Sequence, residues 1–176
     1  MNGVNAGNVL FACMYKVGEG PQLPVVIACG ASSCTTTSTP PDSAYISGIS
    51  ATSMDDIFVT GIAKDGAGAV WHYSPKRPPW TSTEEPKFSG YGTVFSPWAG
   101  AVVAAGGYSP DGPGQLALTI EDAINPTPTT VSLDKKAWNA GSIWMSTMTD
   151  GSRVLHVLTV AAGTFPAGHY TAPILH

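Results

Sequence analysis

Six acidic residues in this sequence are candidates for acid–base chemistry, and a reaction that two carboxyl groups can catalyse is the hydrolysis of a glycosidic bond. These residues are Asp55, Asp56, Asp65, Asp111, Glu121 and Asp122. Such a hydrolase needs its two carboxyl groups roughly 5–10 Å apart on one side of the substrate. Asp55 and Asp56 are adjacent at the start of an apolar run, and successive side chains of a strand point to opposite faces. This pair is therefore typical of a turn that enters a strand, and a hydrolytic pair would combine acids from separate turns.

Histidine residues are the next candidates, because imidazole binds metals and transfers protons. His72 and His156 occupy matching places when "AVWHYS" is aligned with "RVLHVL", and Leu118 occupies that place in "QLALTIE". A position that accepts leucine is compatible with an apolar environment. The alignment therefore predicts hydrogen-bonded core histidines rather than metal ligands, and no metal or cofactor is predicted.

Three cysteines leave two alternatives open. Cys13 and Cys29 lie in apolar runs, which favours buried, reduced thiols, and the paired spacing of zinc sites is missing. Cys29 and Cys34 flank the short segment "GASS" and would close a small loop in an oxidising compartment. The prediction is that all three are thiols, with a bridge between Cys29 and Cys34 as the alternative.

Aromatic side chains are the candidates for binding a ligand, because rings beside polar groups commonly line binding sites for sugars and peptides. The segment "SPKRPPWTSTEEPKF" concentrates charge, is stiffened by proline and has Trp80 at its centre. The predicted binding residues are Trp80, Arg77, Lys76, Trp98, Trp71 and Tyr73. The alternative is that these rings fill the space between sheets, and that Trp80 closes one such space as a core residue.

Four glycine-containing polar turns separate pairs of apolar runs, and these are the elements that must position the candidate residues. The pairs are "NVLFACMY" with "PVVIACG", "DDIFVTGI" with "AVWHYS", "GAVVAAGGY" with "QLALTIE", and "GSIWMSTM" with "RVLHVLTV". Each pair predicts a β-hairpin. The turn tips are expected near residues 19–21, 65–68, 111–114 and 150–152. Helical periodicity is nearly absent, so the chain is predicted to be all-β.

Four repeated hairpin units of about 44 residues fill the 176-residue chain as a single domain. Their approximate bounds are 1–43, 44–89, 90–136 and 137–176. Segments such as "AYISGISATS" and "GYGTVFSPW" add one further strand, and Thr/Pro-rich pieces add short outer strands. This spacing is typical of propeller blades and predicts a small β-propeller, either four-bladed or part of a larger ring completed by a second copy. A β-sandwich or jelly roll is the alternative.

The second unit resembles the blade repeat of bacterial β-propeller proteins. In that repeat a Ser/Asp turn leads into an apolar strand, and a Gly turn leads to an aromatic-His strand with a Trp after it. The residues that carry the resemblance are Ser53, Asp55, Asp56, Gly61, Gly68, Trp71, His72, Tyr73 and Trp80. The resemblance implies a blade fold and says little about activity, since one fold hosts many functions.

Charge and sequence pattern restrict the partners and the compartment. Only 11% of residues are charged, and eight scattered Lys and Arg against a net charge of −4 disfavour nucleic acid and anionic membranes. No apolar run reaches the ~18–20 residues of a membrane span. The N-terminal "MNGVNAGNVLFACMYK" does not have the pattern of a signal peptide. An extracellular or virion location is expected only if a leader was removed or the protein is released by assembly.

The sequence predicts a non-enzymatic binding or structural β module that presents loops to a glycan or protein partner. Catalytic motifs such as GxSxG and HExxH are absent, and the surface is rich in Thr, Gly and Pro. A lectin-like module and a subunit of a larger assembly, such as a virion or surface layer, are two forms of this prediction, and homo-oligomers are compatible with both. The alternative function is a glycosidase-type hydrolase that uses the acids named above.

Overall fold

Every regular element of the computed structural model is a β-strand. The structure describes residues 9–16, 22–30, 32–36, 39–75, 79–85, 91–106, 116–122, 129–134, 140–159 and 167–174. No helix that is long and apolar enough to cross a bilayer occurs in these residues. The all-β prediction is therefore confirmed for the described part of the chain.

The strands form four antiparallel sheets, and each sheet consists of strands that follow one another in the chain. Sheet 1 contains β1 (Val9–Lys16), β2 (Gln22–Cys29) and β3 (Cys34–Thr36). Sheet 2 contains β4 (Ser43–Ser53), β5 (Asp56–Ala63), β6 (Gly68–Tyr73) and β7 (Trp80–Glu85). Sheet 3 contains β8 (Tyr91–Phe95), β9 (Ala101–Gly106), β10 (Leu116–Asp122) and β11 (Thr129–Asp134). Sheet 4 contains β12 (Ala140–Thr147), β13 (Arg153–Thr159) and β14 (His169–Ile174).

All four predicted hairpins are present. β1 pairs with β2, β5 with β6, β9 with β10 and β12 with β13, each in antiparallel register. Gly66 and Gly151 have positive φ at the tips of the second and fourth turns, a backbone conformation that glycine adopts without steric cost. The tips predicted near 19–21 and 111–114 lie outside the described residues.

The hairpins occupy different places in their sheets. In sheets 2 and 3 the predicted hairpin is formed by the second and third strands, whereas in sheets 1 and 4 it is formed by the first two. The difference arises because "AYISGISATS" and "GYGTVFSPW" supply the additional leading strands β4 and β8, as the sequence indicated. His72 and His156 therefore lie on strands that are not equivalent in position, contrary to the alignment of the two hairpins.

Strand β5 is buried on both faces. The consecutive residues Ile57, Phe58, Val59 and Thr60 are all buried, and alternate residues of a strand point to opposite faces. One face of sheet 2 shares a hydrophobic cluster with Val26 of sheet 1, to which Ile57, Val59 and Trp71 belong. We call this the back face of sheet 2, and the opposite face, with Phe58, Thr60 and His72, its front face.

The front face of sheet 2 lies against sheet 3. A Cβ added at Gly48 would lie 2.9 Å from the Thr60 Oγ1 atom and 3.2 Å from Val94, so these three residues are closely packed. The Ser96 backbone N–H donates to the Ser50 hydroxyl at 2.9 Å across the same interface. We call each packed interface between neighbouring sheets a seam.

Each sheet contacts the next sheet along the chain. β1 and β2 contact β4, then β4, β5 and β6 contact β8, and β12 contacts β8 and β9. Among the described strands no contact of similar extent joins sheet 4 back to sheet 1. The four sheets therefore form an open series with three seams and two outer faces.

Considering only the residues that the structure describes, the outer sheets are covered on one face. In β13 the buried residues Leu155 and Val157 alternate with the more exposed His156 and Leu158. The nearly continuous apolar run "RVLHVLTV" is typical of a strand that is covered on both faces, but β13 is covered on one face only. The reason is that no described strand lies against the second face of sheet 4.

A disulfide joins Cys29 and Cys34, which are directly opposed in the pairing of β2 with β3. The prediction that Cys29 is a buried thiol is therefore wrong, and the alternative bridge is the one present. The reason is local: "GASS" turns the chain tightly enough for the Gly30 N–H to donate to the Ser33 carbonyl at 2.8 Å, which brings the two cysteines together. The side chain of Cys13 lies outside the described part of the chain.

Candidate functional site

The acids nominated for hydrolysis do not form a described catalytic pair. Asp56 begins β5 and Asp65 follows its end, and nine residues of extended chain span about 30 Å. The Asp65 carboxylate accepts a hydrogen bond from the Ala67 N–H at 3.0 Å and so stabilises the β5–β6 turn. The side chains of Asp111, Glu121 and Asp122 lie outside the described part of the chain, so a pair that includes them stays a prediction.

Asp56 instead connects sheets 2 and 3. One carboxylate oxygen lies 2.7 Å from the His72 Nε2 atom, and the other accepts the Gly100 N–H at 3.1 Å and the Thr52 hydroxyl proton. His72 also stacks on Phe58, with ring centroids 4.1 Å apart. Gly100 belongs to the link between β8 and β9, so this one carboxylate holds the front face of sheet 2 against sheet 3.

A histidine that a carboxylate orients is also part of nucleophilic catalytic sites, where the other ring nitrogen activates a serine or cysteine. In the described part of the chain the His72 ring hydrogen bonds to Asp56 and to no serine or cysteine. His72 is therefore hydrogen-bonded as the sequence predicted, but its side chain is 32% exposed, so it lies at the edge of the core and not within it.

Asp56→Ala is expected to lower the free energy of unfolding by about 2–3 kcal/mol, because it leaves the Gly100 N–H and the His72 ring without their charged acceptor. The measurement is urea unfolding of this variant, of His72→Ala and of the double variant. The coupling energy between the two positions should be about 1–2 kcal/mol.

Asp55→Ala is the matched control, because Asp55 is the adjacent, exposed carboxylate. Its effect should stay within about 0.5 kcal/mol. Equal effects of the two aspartate substitutions, or additive effects of the Asp56 and His72 substitutions, would contradict the assigned role.

A second aromatic-histidine group lies on the uncovered face of sheet 4. The His156 Nδ1 atom lies 3.0 Å from His169 Nε2, and the His156 Nε2 atom lies 2.7 Å from the Ser146 hydroxyl. The two imidazoles are inclined by only 13° with centroids 5.2 Å apart, so they lie edge to edge in nearly one plane. Trp144 is parallel to both rings and stacks on them, at 4.9 Å from His156 and 5.7 Å from His169.

This group presents a flat indole to solvent. Trp144 is 36% exposed, and Leu158 on the same face is 41% exposed. Within the described residues no three His, Cys, Asp or Glu side chains are grouped so that they could hold a metal ion. The arrangement can therefore bind by packing and by hydrogen bonds from its imidazole and hydroxyl groups.

Most of the predicted binding residues lie at seams. Trp71 belongs to the buried cluster between sheets 1 and 2, as does Trp80, which is only 6% exposed. Tyr73 is half-buried and contacts Trp80 edge to face at 5.2 Å. Trp98 is half-buried at the seam of sheets 3 and 4, where the Arg153 guanidinium lies 5.9 Å from its ring. Lys76 and Arg77 lie outside the described residues, and ligand binding by any of the six stays a prediction.

The combination of Trp144, His156 and His169 was not predicted, although the β12–β13 turn contained a signal for its first two members. Counting six residues outward in each direction from Asp150 in "TDGS" places Trp144 opposite His156, which is the observed register. The Asp150 carboxylate stabilises this turn by accepting the Ser152 hydroxyl and N–H, which lowers the pKa of Asp150 below its usual value. Its contribution to stability is therefore present above the usual pKa and is lost as the pH falls through the lowered one.

Comparison with known proteins gives no independent indication of function. The chain matches no protein-family model. No curated protein is significantly similar to it in sequence.

Proposed function

We propose that this chain is a series of four propeller-type blades that acts as a non-enzymatic interaction module and binds a protein through the outer faces of its end sheets. The observation that carries the proposal is the repeated seam. Each sheet packs on the next in chain order, and the first strands β1, β4, β8 and β12 contact one another in sequence, which suits blades around a common axis. Within the described residues, three such seams leave two sheet faces without a cover.

The two outer faces have the properties of a protein-binding surface. Leu23 on sheet 1 is 55% exposed, and Trp144 and Leu158 on sheet 4 are more than one-third exposed. Exposed apolar groups that share one sheet face indicate an interaction surface, whereas isolated ones do not. The aliphatic Leu158 beside the indole and Leu23 on sheet 1 favour a protein, since sugar recognition relies on aromatic rings and hydrogen-bonding groups.

The described acids support binding rather than catalysis. Asp56 holds two sheets together through three hydrogen-bond partners, and Asp65 stabilises a turn. Neither carboxylate is placed to act with the other on one substrate. The hydrolase alternative therefore depends on side chains outside the described part of the chain.

Hydroxyl-radical footprinting of the dilute chain tests the proposal, with and without a panel of soluble polysaccharides. Trp144, Leu158 and Leu23 should be oxidised in both conditions, whereas Trp71 and Leu155 should be protected as internal controls. Protection of Trp144 in the dilute chain without any polysaccharide would contradict the proposal that this outer face is uncovered. Protection only with a polysaccharide would favour a glycan-binding module, and release of reducing sugar would favour the hydrolase.

A further inference from the structure

The same cross-strand pair, an aromatic ring opposite a histidine, occurs on a covered face and on an uncovered one. Phe58 lies opposite His72 and is 2% exposed, since this face of sheet 2 lies against sheet 3. Trp144 lies opposite His156 with a similar parallel stacking, and its ring is exposed. We call the face with Trp144, His156 and Leu158 the front face of sheet 4. Its composition is that of one sheet's surface at a seam, but no described strand packs on it.

The orientation of sheet 4 agrees with this comparison. Its opposite face carries the buried residues Ile143, Leu155 and Val157. Arg153 lies on the same face of β13 as Leu155 and Val157, and its guanidinium lies over the ring of Trp98 in the link between β8 and β9. The covered face of sheet 4 is therefore directed back along the chain toward sheet 3, and its front face is directed onward, as in sheet 2.

Sheet 1 has an outer face that could pack on the front face of sheet 4. Val26 packs into the cluster that it shares with sheet 2, and Ala28 lies against that cluster. The alternate residues Leu23, Val25 and Ile27 therefore form the back face of sheet 1, which is exposed or half-buried. At the seam within the chain, the back face of sheet 2 is the surface that meets the front face of sheet 1.

We infer that the partner is a second copy of this chain, whose sheet 1 packs its back face on the front face of sheet 4. The inference rests on the proposed function and names the partner. Neither outer face has a Lys, Arg, Asp or Glu among its described residues, which matches the depletion of charge in interface cores. A second copy supplies a packing surface for the front face of sheet 4 and for the back face of sheet 1. In this contact a front face meets a back face, as the sheets do at the three seams within the chain.

Such a contact is head to tail, because it joins two different surfaces of the same chain. Head-to-tail contacts close into a ring when the rotation per copy allows it and otherwise extend into a filament. In both cases the assembly is built from the same seam. A symmetric contact, in which sheet 4 of one copy meets sheet 4 of the other, would use only one of the two outer faces.

Sedimentation and light scattering of the wild-type chain and of two single-face variants test the inference. The wild-type chain should have a mass that is a multiple of 18.1 kDa and should dissociate on dilution. Trp144→Lys and Leu23→Lys each place a charge on one outer face, so each variant alone should remain at 18.1 kDa. Mixed together, they should form a species of two chains through the intact face of each, and this species cannot extend further.

Thr149→Lys is the matched control, because it adds the same charge at an exposed turn position and should assemble like the wild type. Leu158→Lys repeats the test on sheet 4, and circular dichroism of each variant confirms that it is folded. A wild-type chain that stays monomeric at all concentrations would overturn the inference, as would assembly of Leu23→Lys alone. The footprinting result would still decide the proposed function, since bare faces on a monomer indicate a different protein partner.

Discussion

Replacing Trp80 by alanine is expected to lower the free energy of unfolding by about 3–5 kcal/mol, because it leaves a cavity between sheets 1 and 2. Trp80 is buried in the cluster that contains Val26, Val59 and Trp71, and its ring meets Tyr73 edge to face. In a chain of this length the melting temperature should fall by roughly 6–20 °C. Urea and thermal unfolding of the dilute protein measure both quantities.

Trp144→Ala is the matched control, since it makes the same chemical change on an exposed ring. It loses the stacking on two imidazoles and should cost about 1 kcal/mol or less. The comparison also decides between the two sequence-based interpretations of Trp80. A small effect of Trp80→Ala, equal to that of the control, would contradict its role as a core residue and favour its role as a binding anchor.

Gly61→Ala is expected to destabilise the protein by more than about 3 kcal/mol, because the added methyl group meets backbone that cannot move aside. A Cβ at Gly61 would lie 1.9 Å from the Tyr45 carbonyl oxygen and 3.1 Å from the Ile46 Cα atom. Gly61 pairs with Ile46, next to irregularities in the register of β4 with β5. The added methyl group would therefore force these two strands of sheet 2 apart.

Gly66→Ala provides the comparison for this substitution. Gly66 has a φ of 93° and no atom within 4 Å of an added Cβ, so alanine there meets backbone strain without a clash. The cost should be about 1–2 kcal/mol. Urea unfolding of both variants, with the soluble yield of Gly61→Ala as a second readout, tests the ranking. A Gly61→Ala protein as stable as Gly66→Ala would show that β4 and β5 can separate there at little cost.

The hairpins were predictable because their information is local. Polar turns with glycine fix the register of the strands on either side, which is why "DDIFVTGI" pairs with "AVWHYS" as expected. The extra strands β4 and β8 were also visible as β-branched or aromatic segments between glycine and proline clusters. The position of each hairpin within its sheet was not predictable, because it depends on which further segment pairs with the edge of the hairpin.

The seams were not predictable because they join residues far apart in the chain. The Asp56 carboxylate reaches Gly100, 44 positions later, and Ser96 reaches Ser50, 46 positions earlier. An apolar run looks the same whether one or two of its faces are covered, so the one-sided burial of β13 had no sequence signal. The same limit explains why the flat arrangement of Trp144 on two histidines appeared only in the structure.

The order of strands within the sheets has a consequence for the way this chain acquires its structure. Because every sheet is assembled from consecutive segments, its pairings close only short loops and need no distant part of the chain. Among the described strands the more extensive contacts between sheets join neighbouring sheets, as in a one-dimensional array of repeats. Folding can therefore begin in any sheet and spread to the next. Local unfolding should begin in sheets 1 and 4, each of which has a single neighbour, while sheet 2 is held from both sides.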